Sequence, residues 1–266
     1  AIGSPNPEIK HLSLPAEQFD FWFGFPQMID FKQQVNGQVR YLTTVIEEKA
    51  VEFLRSNPPN QPFCLTVALK EPHGPWNYYD PDVPNPYENI HIPPPPTFTP
   101  GHFEALPEFI RSSLNGELAT RWFKDPNTYQ NHVRTYYRLI TRADIALGRI
   151  MAALQETGLD ENTVVIFSSD NGSMLGAHGL DGKWLMYEES IRVPLIIRDP
   201  RLPKELRGRR CERMVLGIDL APTMLSLAGV PIPSAMQGRD LTPLLSNPTL
   251  AWREDWYYEH VYNTKP

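Results

Sequence analysis

Side chains that can do chemistry follow one short apolar run. Residues 163–167 read Thr-Val-Val-Ile-Phe, the chain then reaches Asp170, Asn171 and Gly172, and Lys183 comes thirteen residues after Asp170. Such a run predicts a buried strand, and ligands of open parallel sheets bind just beyond the carboxyl ends of strands. An Asp carboxylate beside an Asn carbonyl offers hard oxygen ligands for calcium or magnesium, and a lysine offers a point charge for a tetrahedral anion. The spacing therefore indicates a site for a metal ion and an anion.

The Asp-Asn-Gly sequence also has a purely structural interpretation. Asp and Asn side chains cap backbone groups in turns, and glycine tolerates the backbone angles that turns require. Considered alone, Asp170 and Asn171 are compatible with either a ligand site or an ordinary turn.

A second polar group follows another apolar run. Phe63 to Leu69 reads as a buried strand, and Lys70 and His73 come directly after it. If this strand is parallel to the one at 164–167, both loops open on the same sheet edge, and the two lysines, His73 and Asp170 converge on one cleft. A histidine there suits general-acid catalysis near neutral pH. The alternative is that His73 is an ordinary surface histidine.

The surrounding pattern is that of an α/β protein, in which helices alternate with strands. Helical periodicity appears from Tyr41 to Leu54 and, over the longest stretch, from Tyr129 to Thr157. A second buried strand is expected at 193–197, and a short helix at 219–229 with an acidic residue at its start and glycine at its end.

Residues 71–107 form a long proline-rich segment with six aromatic residues. A loop of this length in a compact domain is usually functional or disordered. We expect an ordered wall of a substrate cleft that the aromatic residues hold in place, and a flexible surface loop is the alternative.

Composition narrows the function classes. The formal net charge of −6 argues against a nucleic-acid-binding protein, and no stretch of eighteen apolar residues predicts a membrane span.

Cys64 lies within an apolar run, so we expect a buried thiol. Asp144 lies near the apolar side of the long helix, so we expect a buried structural partner. The arginines of that helix are expected largely off its apolar stripe.

Several collinear motifs together resemble the sulfatase family. They lie at 19–24, 41–53, 70–75, 168–172, 176–183, 187–195, 219–229, 237–241 and 252–255. The resemblance covers nearly the whole chain and implies the fold of the alkaline-phosphatase superfamily. That fold is an α/β sandwich around a mixed, mainly parallel sheet, which we expect to be incomplete at both ends of this chain.

The resemblance also implies roles for individual residues. Asp170 and Asn171 match two calcium ligands, Lys183 matches a lysine that binds a sulfate oxygen, and His73 matches a histidine on the leaving-group side. Two further residues fall near the site with roles left open: Lys70 and His178.

Family members use a formylglycine made from Cys or Ser in a Cys/Ser-x-Pro/Ala-x-Arg motif, and this chain contains no such motif. Cys64 and Cys211 lack the Pro or Ala, and the serines that have it lack the Arg. The early Asp-Asp metal pair of the family is absent too. We therefore expect residues 1–266 to be a partial catalytic domain without the C-terminal subdomain, with half of the calcium site and little activity alone.

The leading hypothesis is a sulfuric-ester hydrolase acting on a sulfated carbohydrate or an aryl sulfate, located in the periplasm or outside the cell. A phosphodiester or phosphonate hydrolase of the same superfamily is the first alternative, although such relatives tend to have Asp-His where this chain has Asp170-Asn171. A non-catalytic carbohydrate-binding remnant is the second. Oligomeric state is left open.

Overall fold

The computed structural model describes residues 16–24, 30–35, 37–58, 60–76 and 80–260. Two compact units make up the chain, one of residues 1–96 and 119–160 and one of residues 97–118 and 161–266. Among the described residues, no helix has both the length and the apolar character needed to cross a bilayer. In chain order the elements are β1 (Lys32–Val35), β2 (Gln38–Tyr41), α1 (Leu42–Ser56), α2 (Pro100–Glu104), α3 (Glu108–Arg111), α4 (Leu114–Lys124), α5 (Pro126–Glu156), β3 (Val165–Ser168), α6 (Glu188–Ile191), β4 (Leu195–Arg198), α7 (Leu220–Leu227) and α8 (Thr242–Ser246).

In the first unit, α1 packs against α5, and both helices were predicted from their periodicity. Helix α5 begins one turn earlier than predicted because Asp125 caps it: its side chain accepts a hydrogen bond from the Asn127 N–H at 2.9 Å, and proline follows at the first helical position. At the other end Gly158 adopts a φ of +69°, as a helix-terminating glycine should.

Buried charges join α1, α5 and the segment that follows residue 80. The Arg142 guanidinium donates to Glu47 at 3.0 Å and to Asp80 at 3.2 Å, and all three side chains are buried. Arg138 is buried as well and donates to the Val83 carbonyl at 2.6 Å. The expectation that the arginines lie off the buried face is wrong for these two, because acids and carbonyls on neighbouring segments satisfy them. Asp144, expected to be buried, is exposed, since this network takes its acids from α1 and the following segment instead.

The proline-rich segment of the first unit runs alongside α5. Gln130 both donates to the carbonyl and accepts from the N–H of Ile92, at 2.9 and 3.1 Å. Arg134 donates to the Ile90 carbonyl at 2.9 Å, and the Tyr87 hydroxyl lies 3.0 Å from that of Thr141. These contacts give residues 80–92 a defined path. The role of this segment as a cleft wall stays a prediction, and Tyr78 and Tyr79 lie outside the described residues.

Phe63 to Leu69, predicted as a buried strand, is not a strand in the structure. Its residues alternate between half-buried and exposed, as in extended chain, but within the described residues it pairs with neither ladder. Cys64 is consequently exposed rather than buried. A strand needs a hydrogen-bonded neighbour, which an apolar run cannot provide by itself.

In the second unit, β3 and β4 form an antiparallel ladder in which Ser168 pairs with Leu195 and Val165 with Arg198. Both strands begin within two residues of their predicted positions. The other described ladder, β1 with β2, is antiparallel too, so parallel pairing is not seen among the described strands. Helix α7 forms as predicted, and Gly229 follows it with a φ of +70°.

Asp219 is the N-cap residue of α7, but its side chain makes no capping hydrogen bond to that helix and lies fully buried between loops. Its carboxylate accepts from the backbone N–H groups of Leu216 and Arg239 and from the guanidinium of Arg253. Burial by itself would raise the pKa of Asp219, but the hydrogen bonds from Arg253 and the two N–H groups outweigh it, so the pKa is lowered. This residue therefore joins three segments that are distant in sequence.

Candidate functional site

Strand β3 delivers Asp170 and Asn171 to a polar loop. Asp170 is exposed, and its Oδ1 accepts a hydrogen bond from the Asn171 N–H at 2.9 Å. The turn chemistry expected of Asp-Asn-Gly is thus present, yet it uses only one carboxylate oxygen. The other, Oδ2, accepts no hydrogen bond from the described residues, so Asp170 serves the turn and still offers an oxygen ligand.

Gly172 is required where the loop passes α6. Its N–H donates to the Ser190 carbonyl at 2.8 Å. A Cβ at this position would lie 2.1 Å from the Glu189 carbonyl oxygen, far closer than any real contact. The glycine therefore lets the Asp170-Asn171 loop lie directly against the backbone of α6.

Lys183 returns to the Asp-Asn pair. Its Nζ donates to Oδ1 of Asn171 at 2.8 Å, while the Asn171 side-chain nitrogen donates to the Gly172 carbonyl at 2.7 Å. Lys183 is half-buried and binds the side chain of Asn171, and the residue before Asn171 is the exposed Asp170. The structure brings Lys183 into contact with Asn171, and the use of Asp170, Asn171 and Lys183 as one site stays a prediction.

The backbone between the pair and the lysine is tightly constrained. Leu175 and His178 in this segment and Trp184 just after it have positive φ, at +43°, +58° and +83°, and no other non-glycine residue in the described part of the chain does. Such angles are unfavourable for large side chains and persist only where surrounding contacts enforce them. The fixation comes from a buried apolar cluster of Met174, Ala177 and Leu180.

His178 is held on the same loop by three contacts. Its backbone N–H donates to the Thr97 hydroxyl at 2.8 Å, and its ring stacks on Tyr187 with centroids 4.6 Å apart. Its Nε2 lies 3.5 Å from the Glu189 carboxylate. The sequence identified His178 but gave no sign of Thr97 or Glu189, because each partner comes from a different segment.

Lys70 and His73 belong to the first unit. The Lys70 ammonium lies 5.0 Å from the centre of the Phe31 ring, and burial lowers its pKa while Asp30 and Glu71 oppose that shift. His73 is exposed, with its Nδ1 at 2.9 Å from the Gly74 carbonyl. The convergence of these two residues with Asp170 and Lys183 stays a prediction.

Beneath Lys70 lies a buried carboxyl group that the sequence did not single out. The Thr43 hydroxyl donates to Oε2 of Glu71, and the Tyr41 hydroxyl interacts with the same carboxyl group. Burial raises the pKa of Glu71, and the hydrogen bond from Thr43 only partly opposes this.

The donor chemistry at Asp170 and Asn171 fits calcium, which prefers carboxylate and carbonyl oxygens. A calcium ion takes about six to eight such oxygens, more than the side chains of Asp170 and Asn171 can supply. Within the described part of the chain, no group of three or more His, Cys, Asp and Glu side chains could hold a metal ion. Asp170 and Asn171 can therefore supply only some of the oxygen ligands that a calcium ion takes.

Comparisons with known proteins show which family the chain resembles. The model of the sulfatase family matches residues 6–230. The N-acetylglucosamine-6-O-sulfatase of Bacteroides thetaiotaomicron is 28% identical over 84% of this chain and 49% of its own length. The arylsulfatase of Clostridium perfringens is 30% identical over 83% of this chain and 45% of its own.

Solved structures have the same fold. A protein in complex with its substrate D-glucosamine-2-N,6-O-disulfate superposes with a TM-score of 0.68 at 26% identity, covering 85% of this chain and 58% of that one. The phosphonate monoester hydrolase of Agrobacterium radiobacter gives a TM-score of 0.66, also at 26% identity, over 81% of this chain and 43% of that one.

The chain belongs to the sulfatase family, and its α/β fold is that of the alkaline-phosphatase superfamily. It spans about half the length of the curated relatives it matches.

Proposed function

We propose that the protein carrying this chain hydrolyses sulfuric esters of carbohydrates or aryl alcohols. The observation that carries the proposal is the Lys183 ammonium group, which donates to Asn171 Oδ1 at 2.8 Å, while the preceding residue, Asp170, keeps its carboxylate oxygen Oδ2 open. A fixed cation next to hard oxygen ligands suits an anionic ester held against a divalent cation. The sulfatase relatives support sulfate as the anion.

Each residue of this chain has a distinct part in the proposal. Lys183 Nζ binds a non-bridging oxygen of the ester and stabilises the charge that grows there. His73 donates a proton to the departing alcohol oxygen, and Lys70 adds positive charge on that side. His178, held by Tyr187, lies at the edge of the substrate site.

Asp170 and Asn171 are two of the ligands that hold calcium. In this family a formylglycine supplies the nucleophile, and calcium neutralises charge on the sulfuryl oxygens. The chain contains no formylglycine motif, so we expect the 266 residues alone to have little activity.

The test uses the complete gene product that carries this chain, produced together with a formylglycine-generating enzyme. We expect Lys183→Ala and Asp170→Ala each to lower kcat/KM on an aryl sulfate by about 10²- to 10³-fold, the usual cost of one electrostatic contact to the transition state. Lys204→Ala, at an exposed lysine in the second unit, is the matched control and should retain full turnover. Unchanged turnover in both site variants would refute the roles given to them.

A phosphonate or phosphodiester hydrolase is the second candidate, and the likeness to the phosphonate monoester hydrolase favours it. Phosphonate and phosphodiester hydrolases of the superfamily tend to have histidine at the position of Asn171, so this asparagine argues for a sulfate ester as the substrate. The same preparations assayed on a phosphonate monoester and a phosphate diester separate the two, because turnover on phosphorus esters alone would move the protein to that branch.

A non-catalytic carbohydrate-binding protein is the third candidate, supported by the lack of a formylglycine motif in these residues. It predicts binding of sulfated sugars without turnover by the complete gene product. We also propose a periplasmic or extracellular location, which follows from the family resemblance; cell fractionation of the source organism would test it.

A further inference from the structure

One buried side chain holds the segment that carries Lys183. Asn115, in the first turn of α4, is 2% exposed and lies 68 residues before Lys183. Its Nδ2 donates to the carbonyls of Asp181 at 2.6 Å and of Lys183 at 2.7 Å. The main-chain carbonyl of Asn115 accepts a hydrogen bond from the Asp181 N–H at 3.1 Å. A single residue therefore binds the main chain on both sides of Gly182.

Only a primary amide suits this position. Its one nitrogen carries two N–H groups, which match two carbonyl acceptors, and the opposite orientation of the amide would place oxygen against oxygen. An aspartate would bring acceptors against acceptors, and an apolar side chain would leave two buried carbonyls unpaired. The two carbonyl acceptors therefore require a primary amide at this position.

The start of α4 is itself fixed in place. Gly116 follows Asn115, and a Cβ there would lie 2.0 Å from the Arg111 carbonyl oxygen, so this turn packs directly on the end of α3. Because the first turn of α4 is held against α3, the Asn115 amide cannot easily move with the loop that carries Lys183.

The segment that Asn115 binds needs such an anchor. Gly182 and Trp184, on either side of Lys183, have φ values of +80° and +83°, and tryptophan is unfavourable in that region. The hydrogen bond to the Lys183 carbonyl holds the peptide that joins Lys183 to the strained Trp184. The lysine side chain is long and flexible, and holding it in one conformation costs entropy. The position of the Lys183 Cα therefore determines which groups the ammonium group reaches with the smallest loss of entropy.

We propose that Asn115 is a positioning residue for Lys183, fixing its main chain so that Nζ reaches Asn171 Oδ1 and the substrate anion beside it. The inference rests on the proposed function for its kinetic readout. Asn115 touches no reacting atom and acts through Lys183 alone.

The test is a double-mutant cycle in the complete, formylglycine-bearing protein, with Asn115→Asp, Lys183→Ala and the double variant assayed on an aryl sulfate. We expect Asn115→Asp to lower kcat/KM by about 10- to 100-fold, the scale of a misplacement near 1 Å. In the Lys183→Ala background the same change should cost less than about twofold, because the group that it positions is gone. Losses that multiply in the double variant would overturn the proposal.

Asn57→Asp is the matched control, since Asn57 Nδ2 also donates to two carbonyls, those of Pro58 and Gln61, within the first unit. It should leave kcat/KM unchanged. If Asn115→Asp fails to fold, Asn115→Ser, which retains one donor, replaces it in the cycle.

A crystal structure of the Asn115 variant separates failure of this inference from failure of the proposed function. Displacement of Lys183 Nζ from Asn171 by more than about 1 Å supports the positioning role even if the wild-type protein turns over no sulfate ester. An unmoved Lys183 overturns it whatever the wild-type activity.

Discussion

Charged side chains have different roles in two regions of the molecule, the network around Arg142 in the first unit and the loop of Asp170 and Lys183 in the second. In the first, Arg142, Glu47 and Asp80 are buried and their charges are matched, and Arg149 adds a second cation at 2.7 Å from Glu47. In the second, the Asp170 carboxylate is exposed and the Lys183 ammonium group has a neutral amide oxygen as its partner. A satisfied buried network holds a fold together, whereas charges with binding capacity to spare on a rigid loop can bind a ligand. A search for buried charged residues alone would therefore select the Arg142 network and miss the loop of Asp170 and Lys183.

The largest effect that tests this contrast is loss of Arg142. Arg142→Ala leaves Glu47 and Asp80 buried with less cationic compensation, and we expect the free energy of unfolding to fall by about 3–5 kcal/mol. Urea denaturation of the complete protein measures it. Arg55→Ala, which breaks the exposed pair with Glu156, is the control and should cost less than about 1 kcal/mol. Equal losses would show that the buried network is not the stabilising element we take it to be.

A smaller effect is expected where the site loop meets α6. Gly172→Ala forces the loop away from the Glu189 carbonyl, and we expect a loss of about 1–3 kcal/mol together with at least tenfold lower turnover. Gly148→Ala makes the control, because a Cβ there meets nothing within 4 Å and α5 should gain up to about 1 kcal/mol. Wild-type turnover in Gly172→Ala would mean that the loop tolerates displacement without harm to the site.

Local signals were sufficient for much of the fold. The periodicity of α1 and α5 and the β-branched run before Asp170 are properties of adjacent residues, and they located these elements to within three residues. The loop of Asp170, Asn171 and Lys183 was predictable for the same reason, because thirteen residues of chain suffice to bring the lysine back to the strand end.

What the sequence could not reveal depends on distant partners. Nothing near Asn115 signals that it meets the backbone of Lys183, and nothing near Arg142 signals Glu47 or Asp80. The run at 63–69 has the composition of a strand, but a strand also requires a neighbour. The meeting of Lys70 and His73 with Lys183 is a hypothesis of the same kind, since it depends on the arrangement of separate segments.

The smallest predicted effect concerns Glu71, the buried carboxyl group whose pKa is raised by burial. A raised folded-state pKa means that its stabilising contribution is complete below the unfolded pKa, near 4.3, and is lost as the pH rises through the folded value. Glu71→Gln does not titrate, still accepts from Thr43, and can donate toward the Tyr41 hydroxyl. We therefore expect this variant to gain stability over the wild type as the pH rises from 4 to 8, by about 1.4 kcal/mol for each unit of pKa shift.

Glu48→Gln should show the opposite trend, because hydrogen bonding to Arg40 lowers the pKa of Glu48, so its contribution is present above the unfolded pKa and is lost in acid. Thermal denaturation measures both trends, from about pH 4 to 8 for Glu71→Gln and from about pH 2 to 6 for Glu48→Gln, because the contribution of Glu48 is lost in acid. A gain for Glu71→Gln that does not change with pH would mean that Glu71 is not the titrating group. Both trends as expected would show that burial raises the pKa of Glu71 by more than its neighbours lower it, whereas a direct hydrogen bond from Arg40 lowers the pKa of the less buried Glu48.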